Sequence, residues 1–249
     1  MNCIGKIFED DNVRLYWAGG ASFVIAYRSV KIGIDVYLTD AFYEKTGEFK
    51  RLTLPPCTPD ELDLDYLIVS HQHEDHFDEG GVPILLEKNP AMKVLCPSVV
   101  YDTAGELGFD RTRFIKLNRG ETFEEKGISI HAVTADHGDP APDAIGVIIT
   151  LGGKRIFFAG DGTYREDYLD LIGGHSGFDV MLVAINGKYG NPDSEQAAKI
   201  SKMLSPKVTI PCHYWLFKEH GGDPMTFEKE CIKRGLNPKL LAVGEEYIV

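Results

Sequence analysis

Short apolar runs with alternating polar positions recur along the first forty residues. The runs at 12–17, 22–27 and 30–38 are rich in Val, Ile and Tyr, and Gly-Gly or Arg-Ser turns separate them. This pattern is typical of β-strands that are joined by tight turns. It predicts an antiparallel meander at the start of the chain.

From Asp65 onward the pattern changes to strands that alternate with helices, as in α/β proteins. The segments are strands at 65–70, 92–97 and 113–117 and helices at 82–90 and 97–107. Three further strand runs follow, at 127–133, 144–151 and 154–160. The pair Gly152-Gly153 between the last two predicts a hairpin, so the middle of the chain returns to antiparallel pairing.

The last third of the chain predicts strands at 178–186 and 206–214 and helices after Asn191 and near 225–234. Asn191 is a suitable N-cap, and the residues that follow it form an apolar stripe at helical spacing, namely Ala197, Ile200 and Leu204. The whole order predicts an α/β (α+β) fold, a four-layer αββα sandwich of two mixed sheets, with residues 1–249 in a single domain.

Composition narrows the classes of partner. The chain is 43% hydrophobic and 26% charged, which is ordinary for a globular protein, and its formal net charge is −12. That charge repels phosphate backbones and anionic lipid surfaces, so we expect neither nucleic acid nor membrane as a partner. A small anionic substrate in a local basic pocket stays compatible with it, and so does a homo-oligomer. The five scattered cysteines and the lack of a long apolar run indicate a cytoplasmic protein with reduced thiols.

The strongest chemical pattern is His71-x-His73-x-Asp75-His76, directly after the apolar run at 65–70. Imidazole and carboxylate groups bind zinc, manganese or iron, and burial alone does not explain four of them within six residues. In an extended segment, His71 and His73 point the same way and can hold one ion. Asp75 and His76 would then turn toward a second ion.

Such a centre needs further ligands downstream. His213 ends a predicted strand, where a fold presents groups to a cleft. Asp161 lies between two glycines after another strand, either as a turn former or, as we favour, as a carboxylate shared by two ions. His137 is the favoured last ligand of the first ion, with Asp136 or Asp139 as alternatives.

The remaining candidates concern the substrate. Asn186 would bind substrate hydroxyls or fix its turn, and His220 would reach the mouth of the cleft. Lys188 is the first candidate to neutralise a substrate phosphate, and further candidates are Tyr189, Arg165 and Lys218 with His220. Of the other histidines, we expect His131 to be structural and His175 to lie on the surface.

The metal motif, together with His137, Asp161 and His213, resembles the metallo-β-lactamase superfamily. The segments WAGGASFVI and IDVYL near the start look like the opening strands and structural Asp of that fold. The segments INGKYGN and IPCHYWLFKEHGGDP look like the branch that contains L-ascorbate-6-phosphate lactonase.

The resemblance implies two divalent metal ions, Mn²⁺ or Zn²⁺ with Fe²⁺ as a further option. One ion would be held by His71, His73 and His137 and the other by Asp75, His76 and His213, with Asp161 between them. The expected reaction is hydrolysis of a small sugar lactone that carries a phosphate, such as L-ascorbate 6-phosphate. Asp75 would be the catalytic residue, orienting the nucleophile or accepting a proton.

Three other functions are weighed against this one. Phosphodiester or nucleic-acid hydrolysis uses the same chemistry, but the acidic charge disfavours a polynucleotide. A diiron oxygen or nitric oxide reductase of this fold would carry a carboxylate at the position of His73 and an attached flavin domain. A non-catalytic scaffold would lack ligands, whereas this set is intact.

Overall fold

A computed structural model of the chain describes residues 10–249, and Cys3 lies outside this range. The strands are β1 (Arg14–Gly19), β2 (Ser22–Tyr27), β3 (Val30–Ile34), β4 (Tyr66–Ile68), β5 (Lys93–Cys96), β6 (Phe114–Lys116), β7 (Thr122–Glu125), β8 (Ile128–Thr134), β9 (Ile145–Leu151), β10 (Lys154–Phe158), β11 (Val180–Ala184), β12 (Val208–Cys212) and β13 (Glu246–Ile248). The α-helices are α1 (Ala41–Thr46), α2 (Gly81–Lys88), α3 (Ser98–Glu106), α4 (Tyr168–Leu171), α5 (Ser194–Leu204) and α6 (Pro224–Lys233). No helix in this range is long and apolar enough to cross a membrane.

The strands form two mixed sheets. The first has the order β13-β1-β2-β3-β4-β5-β6, and the second has the order β12-β11-β10-β9-β8-β7. Strands β3 to β6 run parallel, as do β10 to β12, whereas the remaining neighbours are antiparallel. The predicted meander, the α/β middle section and the antiparallel hairpin are therefore confirmed.

Alternation along β2 shows how the layers form. Phe23 and Ile25 point into the core between the sheets, while Val24 and Ala26 point to the opposite face, into a core that includes residues of α2 and α3. Both faces of this sheet are buried, which explains its nearly continuous apolar strands. The second sheet carries α5 and α6 on its outer face, and the apolar stripe of α5 is buried there. The predicted αββα sandwich is confirmed.

Two local predictions are wrong. The run at 30–38 is a strand only to Ile34, because Asp35 has a left-handed backbone with φ of 44° that ends the extended conformation. Asn191 is not the N-cap of α5. Asp193 is, since its side chain accepts from the Gln196 N–H at 2.8 Å while the Gln196 side chain binds the Asp193 N–H.

The parallel strands deliver their carboxyl ends to one edge of each sheet. The loops after β3 and β4 leave the first sheet there, and the loops after β8, β10, β11 and β12 leave the second. Side chains that are far apart in sequence therefore meet where the two edges face each other. A hydrogen bond joins the two edges, since the Ile145 N–H donates to the Ser70 carbonyl at the edge of the other sheet, at 3.1 Å.

Candidate metal centre

The segment 70–78 leaves β4 as a tight turn. The N–H groups of His76 and Phe77 both donate to the His73 carbonyl, at 2.9 and 2.8 Å. The expectation of an extended segment is therefore wrong. The turn nevertheless brings His71 and His73 together, with 2.9 Å between His71 Nε2 and His73 Nδ1.

Two buried carboxylates hold this turn in place. Asp35 accepts from the Ser70 N–H at 2.7 Å and from the Ser70 hydroxyl at 2.6 Å, and it lies 2.6 Å from His76 Nδ1. Asp78 accepts from the Leu38 N–H at 2.9 Å. Because Asp35 is hydrogen-bonded to His76 Nδ1, the other ring nitrogen, Nε2, is directed toward the remaining histidines of the site. Carboxylate–histidine–metal arrangements have the same geometry.

His137 extends the first group of histidines. Its Nε2 lies 3.3 Å from His73 Nδ1 and 3.8 Å from Asp161 Oδ2. The alternatives lie outside the cluster, since Asp136 forms a salt bridge on the surface side and Asp139 is exposed. The structure thus brings His71, His73 and His137 to one point.

Asp161 stands between this group and a second one. Its Oδ1 lies 3.5 Å from His76 Nε2, and its Oδ2 lies 3.3 Å from His213 Nε2. His213 Nε2 is also 2.9 Å from His76 Nε2 and 3.3 Å from Asp75 Oδ2. Gly160 permits this placement, because a Cβ there would stand 2.6 Å from the Ile145 carbonyl oxygen.

His213 is held in an unusual backbone conformation. Its φ is 59°, and its N–H donates to the Gly20 carbonyl at 2.8 Å. The side-chain amide of Asn186 lies 2.9 Å from His213 Nδ1 and is buried. Asn186 therefore supports His213, and its oxygen also accepts from the Lys188 N–H at 3.5 Å, which fits the predicted role in the turn. Asn186 is not among the residues that line the cavity, and its contact with substrate hydroxyls stays a prediction.

Asn191 is a site residue that the sequence reasoning missed. Its side-chain amide donates to Asp161 Oδ2 at 2.6 Å and accepts from the Gly162 N–H at 2.9 Å. These two bonds orient the carboxylate of Asp161. The sequence contains one signal of this role, the Asp193-x-x-Gln196 capping box. It caps α5, so Asn191 is not needed as the N-cap and can bind elsewhere.

We expect Asn191→Ala to weaken metal binding about 10- to 100-fold, the usual effect of removing a group that orients a ligand. Metal affinity is measured by competition with a chromogenic chelator, and Asn191→Asp would not restore it because it places a second carboxylate against Asp161. Asn237→Ala is the matched control, since within residues 10–249 its side-chain amide donates only to the Lys207 carbonyl, at 3.4 Å. Equal affinities for Asn191→Ala and the parent protein would contradict the role of Asn191.

His220 lies closer to the centre than its sequence position suggested. Its Nε2 is 3.9 Å from Asp75 Oδ2, its ring centroid is 4.7 Å from that of His213, and it lines the cavity. Asp75, His213 and His220 form a third group with metal-binding spacing. His131 and His175 contact each other elsewhere, with ring centroids 4.9 Å apart.

The candidates for phosphate binding do not line the cavity, with the exceptions of Tyr189 and His220. Lys188 is exposed, Lys218 pairs with Glu219 at 3.6 Å, and Arg165 is engaged by Asp136 and by Asp167, at 2.9 and 2.8 Å. Among the described residues, no lysine or arginine lines the cavity above the histidines. An anionic substrate remains a prediction without a supporting contact.

The donor atoms fit metal ions. Two nitrogen ligands 2.0–2.1 Å from one tetrahedral ion lie about 3.3 Å apart, close to the spacings observed here. One atom of the cluster, Asp161 Oδ1, is buried and has no hydrogen-bond partner among the described residues. Convergent ring nitrogens and an unpaired buried carboxylate oxygen are costly without a cation between them.

The electrostatics divide the cluster into two parts. Burial lowers the pKa of His71, His73 and His137, so these rings are neutral and available as ligands. Burial would also lower the pKa of His76 and His213, but Asp161 and Asp75 outweigh it and raise both. The two carboxylates stay ionised, since the pKa of each is lowered by these histidines despite burial.

Comparisons with known proteins agree with this geometry. A family model described as a beta-lactamase superfamily domain matches residues 35–214. A UPF0173 protein of Pyrococcus furiosus is 31% identical over 222 residues, which cover 89% of this chain and 92% of that protein. A UPF0173 metal-dependent hydrolase of Aeropyrum pernix is 30% identical over 250 residues, which cover 94% and 96%.

A solved structure extends the similarity to three dimensions. Igni18 is a metallo hydrolase from the archaeon Ignicoccus hospitalis, and it superposes on this chain with a TM-score of 0.75 at 25% identity. The alignment covers 96% of this chain and 98% of Igni18. The family match includes Asp35, the motif at 71–76, His137, Asp161 and His213.

Proposed function

The chain belongs to the beta-lactamase superfamily, and on this premise we propose that it is a hydrolase that uses two divalent metal ions to cleave a carboxylic ester or lactone. The observation that carries the proposal is the convergence of five histidines on Asp161 at the floor of an open cavity. Its UPF0173 relative from Aeropyrum pernix is named a metal-dependent hydrolase, which supports the same conclusion.

In this proposal His71, His73 and His137 hold one ion, and Asp75, His76 and His213 hold the other. Asp161 is shared, since its carboxylate lies near His137 of the first set and near His76 and His213 of the second. Nitrogen and oxygen donors without a thiolate suit Mn²⁺, Zn²⁺ and Fe²⁺. When bound, such ions lower the pKa of water and polarise the carbonyl under attack.

The residues of the chain supply the remaining steps. Asp75 lines the cavity with an ionised carboxylate, so it can orient the attacking water or accept its proton. Water adds to the carbonyl carbon, the bond to the alcohol oxygen breaks, and that oxygen takes up a proton. His76 and His213 are held rigidly for this purpose by Asp35 and Asn186.

The test combines metal analysis with a substrate panel. Metal content is measured by mass spectrometry before and after chelation, and hydrolysis of lactones, carboxylic esters and phosphodiesters is followed after adding back Mn²⁺, Zn²⁺ or Fe²⁺. We expect two equivalents of metal per chain and hydrolysis of lactones or esters that chelation abolishes. Full activity in the chelated, metal-depleted protein would refute the proposal, and hydrolysis of phosphodiesters alone would replace the substrate class.

We also propose a cytoplasmic location. The cysteines at 57, 96, 212 and 231 form no disulfide, and all but Cys57 are buried. Buried, reduced thiols are typical of proteins in a reducing compartment. Fractionation of the native cells with an antibody against the chain tests this location, and recovery in the extracellular medium would contradict it.

A further inference from the structure

The cavity above the metal-binding residues has an aromatic wall. Its volume is about 420 Å³, and its floor is formed by histidines and carboxylates. The aromatic wall consists of four residues, Phe42, Phe49, Tyr189 and Phe217. Phe49 stands at its centre, with ring centroids 5.8 Å from Phe42, 6.1 Å from Tyr189 and 5.5 Å from Phe217.

The chain holds Phe49 in this place at a conformational cost. Its φ is 57°, a left-handed conformation that is uncommon for a bulky residue. The backbone around it is anchored to the segment after β12, because Arg51 pairs with Phe217 as a β-bridge and the Leu52 N–H donates to the Leu216 carbonyl at 2.8 Å. Strain that the surroundings maintain is concentrated at functional sites.

The aromatic wall reaches the metal-binding residues through His220. The ring of His220 lies 4.9 Å from Phe217 and 6.3 Å from Tyr189, measured between centroids, and 4.7 Å from His213. A group that packs on the aromatic wall is therefore within one side chain of the reacting bond.

The side chains around the cavity offer no cationic partner to an anion on that wall. Apart from the histidines, the residues with charged side chains that line it are Glu74, Asp75 and Asp161, of which the last two belong to the proposed metal ligands. The cations on the loop of Phe49 are Lys50, whose ammonium lies over the Tyr43 ring at 5.5 Å, and Arg51, which donates to the Tyr37 carbonyl at 2.8 Å, and neither lines the cavity. A phosphate on the aromatic wall would lose its hydration and gain no cationic partner from the described residues.

We propose that the aromatic wall is a substrate subsite that binds an uncharged aromatic group attached next to the scissile carbonyl. The proposal rests on the hydrolase function proposed above and names its substrate class. Aromatic side chains stabilise a bound ring by apolar burial and by edge-to-face contacts. A substrate with a phosphate at the same position would be a poor ligand.

Three γ-lactones test the subsite. They differ only in the substituent on the carbon next to the carbonyl, which is phenyl, methyl or phosphomethyl. We expect the metal-loaded protein to hydrolyse the phenyl compound with the lowest KM. Calorimetric titration with the matching phenyl lactam, which is not hydrolysed, measures binding without turnover. Phe49→Ala should weaken lactam binding about 10-fold and raise KM for the phenyl lactone alone, while Phe49→Leu should fall between it and the parent.

Leu54→Ala is the matched control, since Leu54 is on the same loop but 88% exposed and outside the cavity. Tyr189→Ala, at a residue that is 56% exposed, replaces Phe49→Ala if that variant does not fold. Hydrolysis of all three lactones with equal KM, or a preference for the phosphorylated one, would overturn the subsite and leave the hydrolase function standing. Tight lactam binding without any metal-dependent hydrolysis would refute the hydrolase function instead.

Discussion

Replacing Asp161 with asparagine is expected to reduce metal-dependent hydrolysis by at least about 100-fold. Loss of a group that merely orients a metal ligand costs up to about 100-fold, and Asp161 is proposed to be a ligand itself. The carboxylate of Asp161 lies near His137 of the first proposed ion position and near His76 and His213 of the second, so loss of its charge should weaken both positions. Asparagine has nearly the same shape, and circular dichroism should show an unchanged fold. Metal content by mass spectrometry should fall in parallel with kcat/KM.

Asp136→Asn is the matched control for this experiment. Asp136 is in the neighbouring loop and pairs with Arg165 at 2.9 Å, and it contributes no atom to the groups with metal-binding spacing. We expect it to retain the metal content and most of the activity, because an exposed ion pair contributes little to stability. If Asp136→Asn lost more metal and more activity than Asp161→Asn, the assignment of Asp161 rather than Asp136 as a ligand would be contradicted.

Replacing Asp35 with asparagine is expected to lower the free energy of unfolding by about 3–5 kcal/mol, because it breaks a buried pair. Asp35 is fully buried, and asparagine cannot accept from both Ser70 groups and from His76 as the carboxylate does. Asparagine tolerates the left-handed backbone at this position better than most residues. The loss therefore reports on the carboxylate and not on backbone strain.

Urea denaturation of the metal-free protein measures this effect, and chelator competition measures the accompanying loss of metal affinity, about 10- to 100-fold. Asp65→Asn serves as the control, since its carboxylate also accepts from a backbone N–H, that of Lys31 at 2.9 Å, but contacts no histidine. We expect the control to cost about 1 kcal/mol, as for a single hydrogen bond. Equal losses for the two variants would argue against a special role of Asp35 at His76.

The candidate metal ligands could be found in the sequence because their chemistry is local. Imidazoles and carboxylates directly after apolar strands are out of place in a core, and the strand pattern indicates which loops share an edge. This reasoning selected His213 and Asp161 although they are far apart in the chain. The structure places both at the cluster, with His213 Nε2 3.3 Å from Asp161 Oδ2.

The supporting residues were harder to assign because an amide side chain has many uses. Asn191 fits a helix cap by type and position, yet it orients Asp161, since Asp193 and Gln196 cap the helix between them. Asn186 fits a substrate contact, yet its amide contacts His213. Both assignments depend on the direction of a side chain at the end of a strand, which residue type and spacing do not reveal.

The aromatic wall depends even more on tertiary structure. Phe42 and Phe49 belong to a helix and loop after β3, while Phe217 follows β12 of the other sheet. They meet only because the Arg51–Phe217 bridge joins the two segments and because Phe49 adopts a positive φ. Nothing in the local pattern around Phe49 distinguishes it from an ordinary core or loop aromatic residue.

The sequence by itself determined the layered fold and the motif at 71–76, because hydrophobic period and side-chain chemistry act over a few residues. The tertiary structure decided how that motif is used. It bent the segment into a turn, set Asp161 between two groups of histidines, and placed an aromatic wall instead of lysines above them. These outcomes arise where loops from two separate sheets meet, and the geometry of that meeting is a property of the packed chain.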